Sequence, residues 1–412
     1  MTSYDLMLEI LRISLSIQDI SYEQALEETN SLVKDLKEEE WEELIDTAIT
    51  NSVATLFNSL LGKSQYIPEK EKKNLEKYAH SIVIRNIKLI NEEKLLVEQF
   101  KKAGLKFCIM KGTAAAAYYP SPELRKAADI DILLPDKMDI ERAVSELEKL
   151  GYVKTEEQVA VQHVVMVDQE QHVIEVHTLL SEPFDNKKVN KILLELVPES
   201  LNHIEKKSVM GIEIPVLTEG YHAFELLIHM LQHFLRSGFG VKMLPDWVLL
   251  WNKGMDEENR EDYLNLVNKC GIKGFSDMIT RTCIKYLGLK RENVLWMNLF
   301  DTDKSREDEE EETALFLEEL KEAGEFGRHK KERMVALRGT GPISYIREFH
   351  HQMHLNFPKA GKCFLLWPIL WIITLIRFLR NNRKLRKVST RELFASAAKR
   401  SKLVKRLNLF EN

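Results

Sequence analysis

Residues 129–135 read Asp-Ile-Asp-Ile-Leu-Leu-Pro. Acid and apolar side chains alternate, and a proline ends the run. A period of two belongs to a β-strand, in which side chains i and i+2 share a face with Cα atoms about 7 Å apart. Asp129 and Asp131 therefore project from one face, and Ile130 and Ile132 from the other. Two carboxylates this close repel unless a cation sits between them. Taken alone, the run is most simply the solvent side of a half-exposed strand. Its surroundings decide whether it is more.

Upstream, residues 105–110 form a short β-like run, and Gly112-Thr113 followed by four alanines reads as a helix start. Free N–H groups at such a junction suit a phosphate. Gly112 lets the phosphate approach the backbone, the Thr113 hydroxyl adds a donor, and Lys111 and Arg125 add positive charge, Arg as a fork of donors. Prolines make 119–128 a loop. No GxxxxGK[ST] occurs and no GxGxxG follows a strand, which disfavours P-loop and dinucleotide-binding folds. Downstream, 164–180 reads as a hairpin around a polar turn. It carries Glu175 mid-strand, with His177 on the same face. A third carboxylate on a neighbouring strand completes an oxygen donor set of the kind Mg²⁺ takes, with room for two ions roughly 3.5–4 Å apart.

With these residues in view, the stretch KGTAAAAYYPSPELRKAADIDILLP resembles the signature of the nucleotidyltransferase superfamily with the polymerase-β-like fold. More narrowly it resembles a bacterial family of uncharacterised nucleotidyltransferases. That family shares the Lys-Gly, the Tyr-Pro, the Arg four residues before the first Asp, the acid-x-His strand of Glu175 and His177, and a later helix with spaced histidines followed by an Asp. His229, His233 and Asp246 match the last of these. Thr113 stands where the superfamily usually has Ser, and Glu175 where it usually has Asp. The resemblance implies that Asp129, Asp131 and Glu175 hold Mg²⁺ or Mn²⁺. It also implies that Glu175 binds the second ion or activates the acceptor hydroxyl, and that Lys111, Gly112, Thr113 and Arg125 contact an NTP, ATP first among them. His177, His229, His233 and Asp246 are the implied substrate contacts. The reaction implied is attack on the α-phosphate, with release of pyrophosphate.

The remaining readings are plainer. The chain has 412 residues, room for two or three folding units at roughly 100–200 residues each. The pattern is α+β: a helical region over 1–90, a small mixed-sheet nucleotidyltransferase core over 91–218, a helical domain over 219–340, and a basic, apolar-aromatic segment over 341–412. Long helices are expected over 75–104, ended by Gly104, and over 218–238, capped by Thr218. His229 and His233 lie i, i+4 on an apolar helix, where polar contacts within the core or to substrate outweigh metal binding. Asp246 is read as a helix cap, or as a partner of those histidines or of Arg236. His350 and His354 share a helix face without further ligands. The acidic run 301–312 reads as a solvated loop and helix start. Four scattered cysteines exclude a disulfide framework or zinc motif. With no signal-peptide pattern, the expectation is a cytoplasmic protein, peripheral on the inner membrane face if it meets lipid.

Net charge is −5, unevenly placed: from residue 361 onward there are 13 Lys/Arg and two acids. Within that segment residues 363–376 carry no charge but are too short to span a bilayer, which takes ~20 residues. Tryptophans beside a polybasic flank suit an anionic membrane surface; a buried helix with an exposed basic tail is the alternative. Nucleic acid is a less favoured partner. Two other functions stand beside the metal-dependent enzyme acting on an unidentified small molecule, peptide or protein: a non-catalytic nucleotide-binding or membrane-surface protein, and a toxin-like nucleotidyltransferase acting on tRNA or protein.

Overall fold

The structure, a computed structural model, describes residues 1–155, 163–184, 186–236, 238–299, 306–323 and 403–410, and within 346–381 all but 347, 348, 351, 352, 355, 358, 359, 361 and 362. It is an α+β fold built on one seven-stranded mixed sheet. Four helices come first: α1 (Ser3–Leu15), α2 (Tyr22–Val33), α3 (Glu38–Thr50) and the short α4 (Ala54–Phe57). Thr2 and Asp5 close a capping box at the start of α1, each satisfying an otherwise orphaned N–H. Then α5 (Glu69–Lys102) runs for 34 residues, about 51 Å at helical rise. It ends at Gly104, whose φ of 67° is easily reached only without a Cβ.

The sheet and its helices follow in the order β1 (Cys108–Met110), α6 (Lys111–Ala116), β2 (Ile130–Leu133), α7 (Lys137–Lys149), β3 (Val153–Lys154), β4 (His163–Val167), β5 (Val173–His177), α8 (Lys187–Ser200), β6 (Ile204–Val209) and β7 (Ile212–Leu217). Spatial order is β3-β4-β5-β2-β1-β7-β6. Pairs β2·β5 and β1·β7 are parallel, and the other pairs antiparallel. The expected hairpin is β4–β5. Helices α9 (Glu219–Arg236), α10 (Leu244–Asn252), α11 (Glu257–Cys270), α12 (Lys273–Tyr286) and α13 (Arg306–Ala323) come next, and α14 (Trp367–Asn381) last.

The sheet separates two apolar cores. Ile109, Ile130, Ile132, Ile174 and Val176 pack with Val97 and Phe100 of α5 and Leu147 of α7. Cys108, Met110 and Leu133 face the other way, into a larger core shared by α1, α3 and α8 to α13. Burying Ile130 and Ile132 contributes about 1.5–3 kcal/mol each. A one-residue slip of β2 would replace them by acids. The alternation therefore fixes which way Asp131 points: toward the helical body.

Three expectations need correction. Thr218 does not cap α9 with its side chain, because its buried hydroxyl makes no hydrogen bond; its carbonyl accepts from the His222 N–H at 2.8 Å. The acidic run is not all solvated: Glu309 and Glu312 turn inward to Arg281, at 3.1 and 3.6 Å. Residues 301–305 lie outside the described residues. Residues 403–410 of the expected exposed tail are docked, with Leu403 and Leu407 buried in the larger core, and 382–402 lie outside the described residues. All four cysteines are free thiols.

Candidate active site

One cavity of about 340 Å³ opens where the carboxyl-facing side of the sheet meets α9 and α10. Asp129, just before β2, lines it together with Asp131 and with Glu175 and His177 of β5. Parallel pairing of β2 with β5 sets Asp131 directly beside Glu175. Oδ1 of Asp131 receives Lys111 Nζ at 2.9 Å and lies 2.8 Å from His177 Nε2, which is itself 3.3 Å from Glu175 Oε2. Asp131, Glu175 and His177 thus offer three ligand atoms within 4.8 Å of one another.

The charges are unequal in consequence. Burial works against ionising Asp131, but Lys111 and His177 outweigh it and hold its carboxyl well below the usual range. The His177 hydrogen bond lowers Glu175 too. Asp129 gains least from these cations: burial, then Asp131 and Glu175, push it up to about 6. Carboxylates crowded in this way fit a divalent cation. Oxygen donors suit Mg²⁺, and an adjacent imidazole widens the choice to Mn²⁺.

The Lys111–Gly112 turn is built differently from a helix N-terminus. α6 has six residues, and Gly112 inside it is not helical (φ 4°, ψ −104°). Lys111 sits at φ 48°, in the left-handed region that L-residues other than Asn and Asp seldom adopt. Two buried carboxylates hold the turn. Glu225 of α9 accepts from the Lys111 N–H at 3.4 Å, and Glu93 of α5 accepts from the Thr113 hydroxyl at 2.8 Å. Thr113 is thus turned away from the cavity lining. A Cβ on Gly112 would stand 3.2 Å from the Asp129 carbonyl oxygen. Gly112→Ala should therefore shift Asp129 by tenths of an ångström. It should reduce any Asp129-dependent activity about 10–100-fold, with a stability change below about 1 kcal/mol. Paired turnover and urea-unfolding measurements check this.

Arg125 and Asp246 also line the cavity, but they face each other. Arg125 Nε and Nη2 reach Asp246 Oδ1 and Oδ2 at 2.8 and 2.7 Å, and the Tyr119 hydroxyl donates to Oδ1 at 2.7 Å. Asp246 lies in the first turn of α10, so neither the cap nor the histidine pairing expected for it is what it makes. His229 and His233 also line the cavity with rings 4.6 Å apart, and burial lowers both, His229 well below the ordinary value. Neither joins a three-ligand group among the described residues. His350 and His354 meet each other at 3.1 Å; His350 accepts from Trp371, and His354 packs on Trp367.

Sequence reasoning missed Glu93, Glu225, His163 and Lys242. Glu93 is an acid inside the apolar stripe Leu89-Leu96-Val97-Phe100, which is a legible signal. His163 is the antiparallel partner of His177 and stacks on it at 5.6 Å. Lys242 lines the cavity and lowers Asp129 by its charge. A second group, Glu92, Asp168 and His172, clasps the β4–β5 turn to α5, with His172 Nδ1 at 2.6 and 2.8 Å from the two carboxylates.

Burial raises Glu93 to about 8 and Glu225 to about 7. Between the ordinary value of 4.5 and these values, the folded protein holds protons that the unfolded chain has released. The unfolded state then binds fewer protons, so stability falls as pH rises. The urea midpoint should drop from pH 5 to pH 8, by a few kcal/mol in free energy. Glu93→Gln, which has no proton to lose, should flatten the upper part of that fall.

Residues 37–288 match the sequence model of a family described as uncharacterised nucleotidyltransferases. A solved structure, an antigenic nucleotidyltransferase-like protein from Paracoccidioides brasiliensis, aligns at 14% identity over 48% of this chain and 90% of its own, with a TM-score of 0.29. That overlap is too slight to carry an argument. No curated protein matches. The family match covers more than half of the chain, across both the carboxylate-bearing strands and the helices that close the cavity, and the protein belongs to this nucleotidyltransferase family.

Proposed function

We propose that the protein transfers a nucleoside monophosphate from an NTP to a nucleophilic group on an acceptor, with Mg²⁺ or Mn²⁺. One observation carries the reading: Asp129, Asp131 and Glu175 converge beside the Lys111–Gly112 turn in a single cavity. Asp129, Asp131 and Glu175 would hold the cation, which would supply positive charge at the phosphate oxygens. Lys111 and Lys242 add cationic charge in the same cavity, which Gly112 also lines. The acceptor oxygen forms its bond to the α-phosphorus as the bond to the bridging oxygen breaks and pyrophosphate leaves. Glu175, held ionised by His177, would complete the cation's ligands or, where Asp129 and Asp131 suffice, take the acceptor's proton. His229 and His233, kept neutral by burial, face the same space and suit hydrogen bonding to the base or acceptor. Positioning and electrostatics account for most of the rate. ATP is the first donor to test. The basic C-terminal segment concerns a separate partner, an anionic surface.

The test is to incubate the protein with each labelled NTP, Mg²⁺ or Mn²⁺ and a cell extract, then measure transferred label and pyrophosphate. Transfer by wild type and none by Asp129→Asn supports the reading. Equal behaviour of the two, with no NTP binding by either, overturns it in favour of a non-catalytic protein.

A further inference from the structure

The two sides of α14 differ sharply. Leu370 and Thr374 are 7% and 3% exposed and lie on its buried side. Trp371 Nε1 donates to His350 Nδ1 at 3.1 Å, and the Trp367 ring packs on His350 with centroids 4.5 Å apart. On the other side Ile369, Ile372 and Ile376 are 58%, 58% and 57% exposed, with Ile373 beside them, and Leu365 in the 3-10 turn before the helix is 71% exposed. The four isoleucines fall at i, i+3, i+4 and i+7, which is one stripe along a helix. Contiguous exposed apolar surface on this scale marks an interaction site.

Charge identifies the partner. Residues 377–402 contain ten Lys/Arg and one acid, Glu392. Beyond them the chain is docked again: Leu403 and Leu407 are buried, and the Phe410 N–H donates to the Gly271 carbonyl at 2.7 Å. The basic stretch thus follows the apolar stripe directly in sequence and precedes a segment docked on the folded body. A nucleic acid would satisfy the cations and leave the stripe wet. An apolar protein groove would do the reverse. A bilayer with anionic headgroups meets both at once. Spanning is not the mode. Fifteen residues reach about 22 Å against ~30 Å of hydrocarbon, and no helix among the described residues is long and apolar enough to cross a membrane.

We propose that α14 and the turn before it lie in the interface of an anionic lipid bilayer, with Leu365, Ile369, Ile372, Ile373 and Ile376 toward the acyl chains, and that the charge of the basic sequence after the helix supplies the attraction to anionic headgroups. The sequence pointed to the tryptophans as interfacial anchors. The structure turns them toward His350 and assigns the lipid-facing role to the isoleucines.

The experiment is sedimentation of the full chain with vesicles of phosphatidylcholine alone or with about one third phosphatidylserine. Wild type should pellet with the anionic vesicles and not with the neutral ones. Ile369→Ser/Ile372→Ser/Ile376→Ser should lose about tenfold or more of that binding, with melting temperature and elution volume unchanged because the three side chains face solvent. Reversing Arg383, Lys384, Arg386 and Lys387 to Glu should abolish the phosphatidylserine dependence. Equal pelleting of the serine variant and wild type overturns the proposal. So does a wild-type dimer that the serine variant converts to monomer, which makes the stripe a contact between copies. So does RNA binding without vesicle binding. None of these readouts touches the cavity, so the result is independent of the nucleotidyl-transfer reading.

Discussion

Asp129→Asn should abolish nucleotidyl transfer, by roughly 10³-fold or more, and should also raise the melting temperature of the metal-free protein. The two outcomes share one cause. Asp129 stands beside Asp131 and Glu175 in a largely buried position, and its carboxyl is pushed up to about 6 from 3.8. At neutral pH the folded state therefore carries a destabilising charge of about 2–3 kcal/mol. Asparagine keeps the shape and removes that charge, which should show as a rise of a few degrees. Asp131→Asn should behave oppositely. Its carboxylate receives Lys111 at 2.9 Å and touches His177 at 2.8 Å, both largely buried. Removing it leaves those cations facing each other, so activity and stability both fall, the latter by about 3–5 kcal/mol.

The sign of the contrast is the check. Differential scanning without metal, then with added Mg²⁺, separates the two roles. Wild type should gain stability from Mg²⁺ and Asp129→Asn should gain little, because the crowding a cation would relieve is already gone. An Asp129→Asn protein that is both active and no more stable than wild type would remove Asp129 from the metal set and leave the D-x-D pair as a strand surface.

How far such a site could be read beforehand follows from the range of each interaction. Alternation places Asp129 and Asp131 on one face, and the hairpin places Glu175 and His177 on another strand of like face. These are local periodicities, and the sheet preserves them. The pairing of β2 with β5 is not local, yet its consequence was accessible, because an acid on each strand has only one polar face to share. By contrast, Thr113 and Arg125 carry no local mark of the partners they take. Their partners, Glu93 and Asp246, lie 20 and 121 positions away. Glu93 announces itself as an acid in an apolar stripe; Asp246 does not, since an acid in a helix's first turn is ordinary. The orientation of α14 was hidden for another reason. Tryptophan suits either an interface or a core, and only the histidines of a separate segment decide between them.

The Arg125–Asp246 pair yields the second large effect. Arg125→Ala and Asp246→Ala should each destabilise the protein by about 3–5 kcal/mol, since each leaves the other charge buried without its partner. The pair is bidentate, and both side chains are largely buried. It holds a loop that other contacts grip from the far side: Asn86 of α5 donates to the carbonyls of Glu123 and Arg125 at 2.7 and 2.9 Å, and Arg85 donates to that of Ala128 at 2.9 Å. The next residue is Asp129. The ion pair therefore connects α10 to the segment that places a candidate metal ligand, and the apolar double replacement Arg125→Met/Asp246→Leu should separate its two roles. Stability should recover most of the loss of either single alanine variant, because no charge is stranded. Transfer activity should stay low, because nothing any longer fixes the loop from the α10 side, and a misplacement near 1 Å can cost about 10²-fold. Urea unfolding of the three variants and wild type, with turnover measured on the same samples, provides the comparison. Full activity in the double variant would show that the loop's other contacts, those of Asn86 and Arg85 among them, suffice to position Asp129. Unimpaired stability but weak NTP binding in Arg125→Ala would instead make Arg125 a phosphate ligand, released from Asp246 when nucleotide arrives.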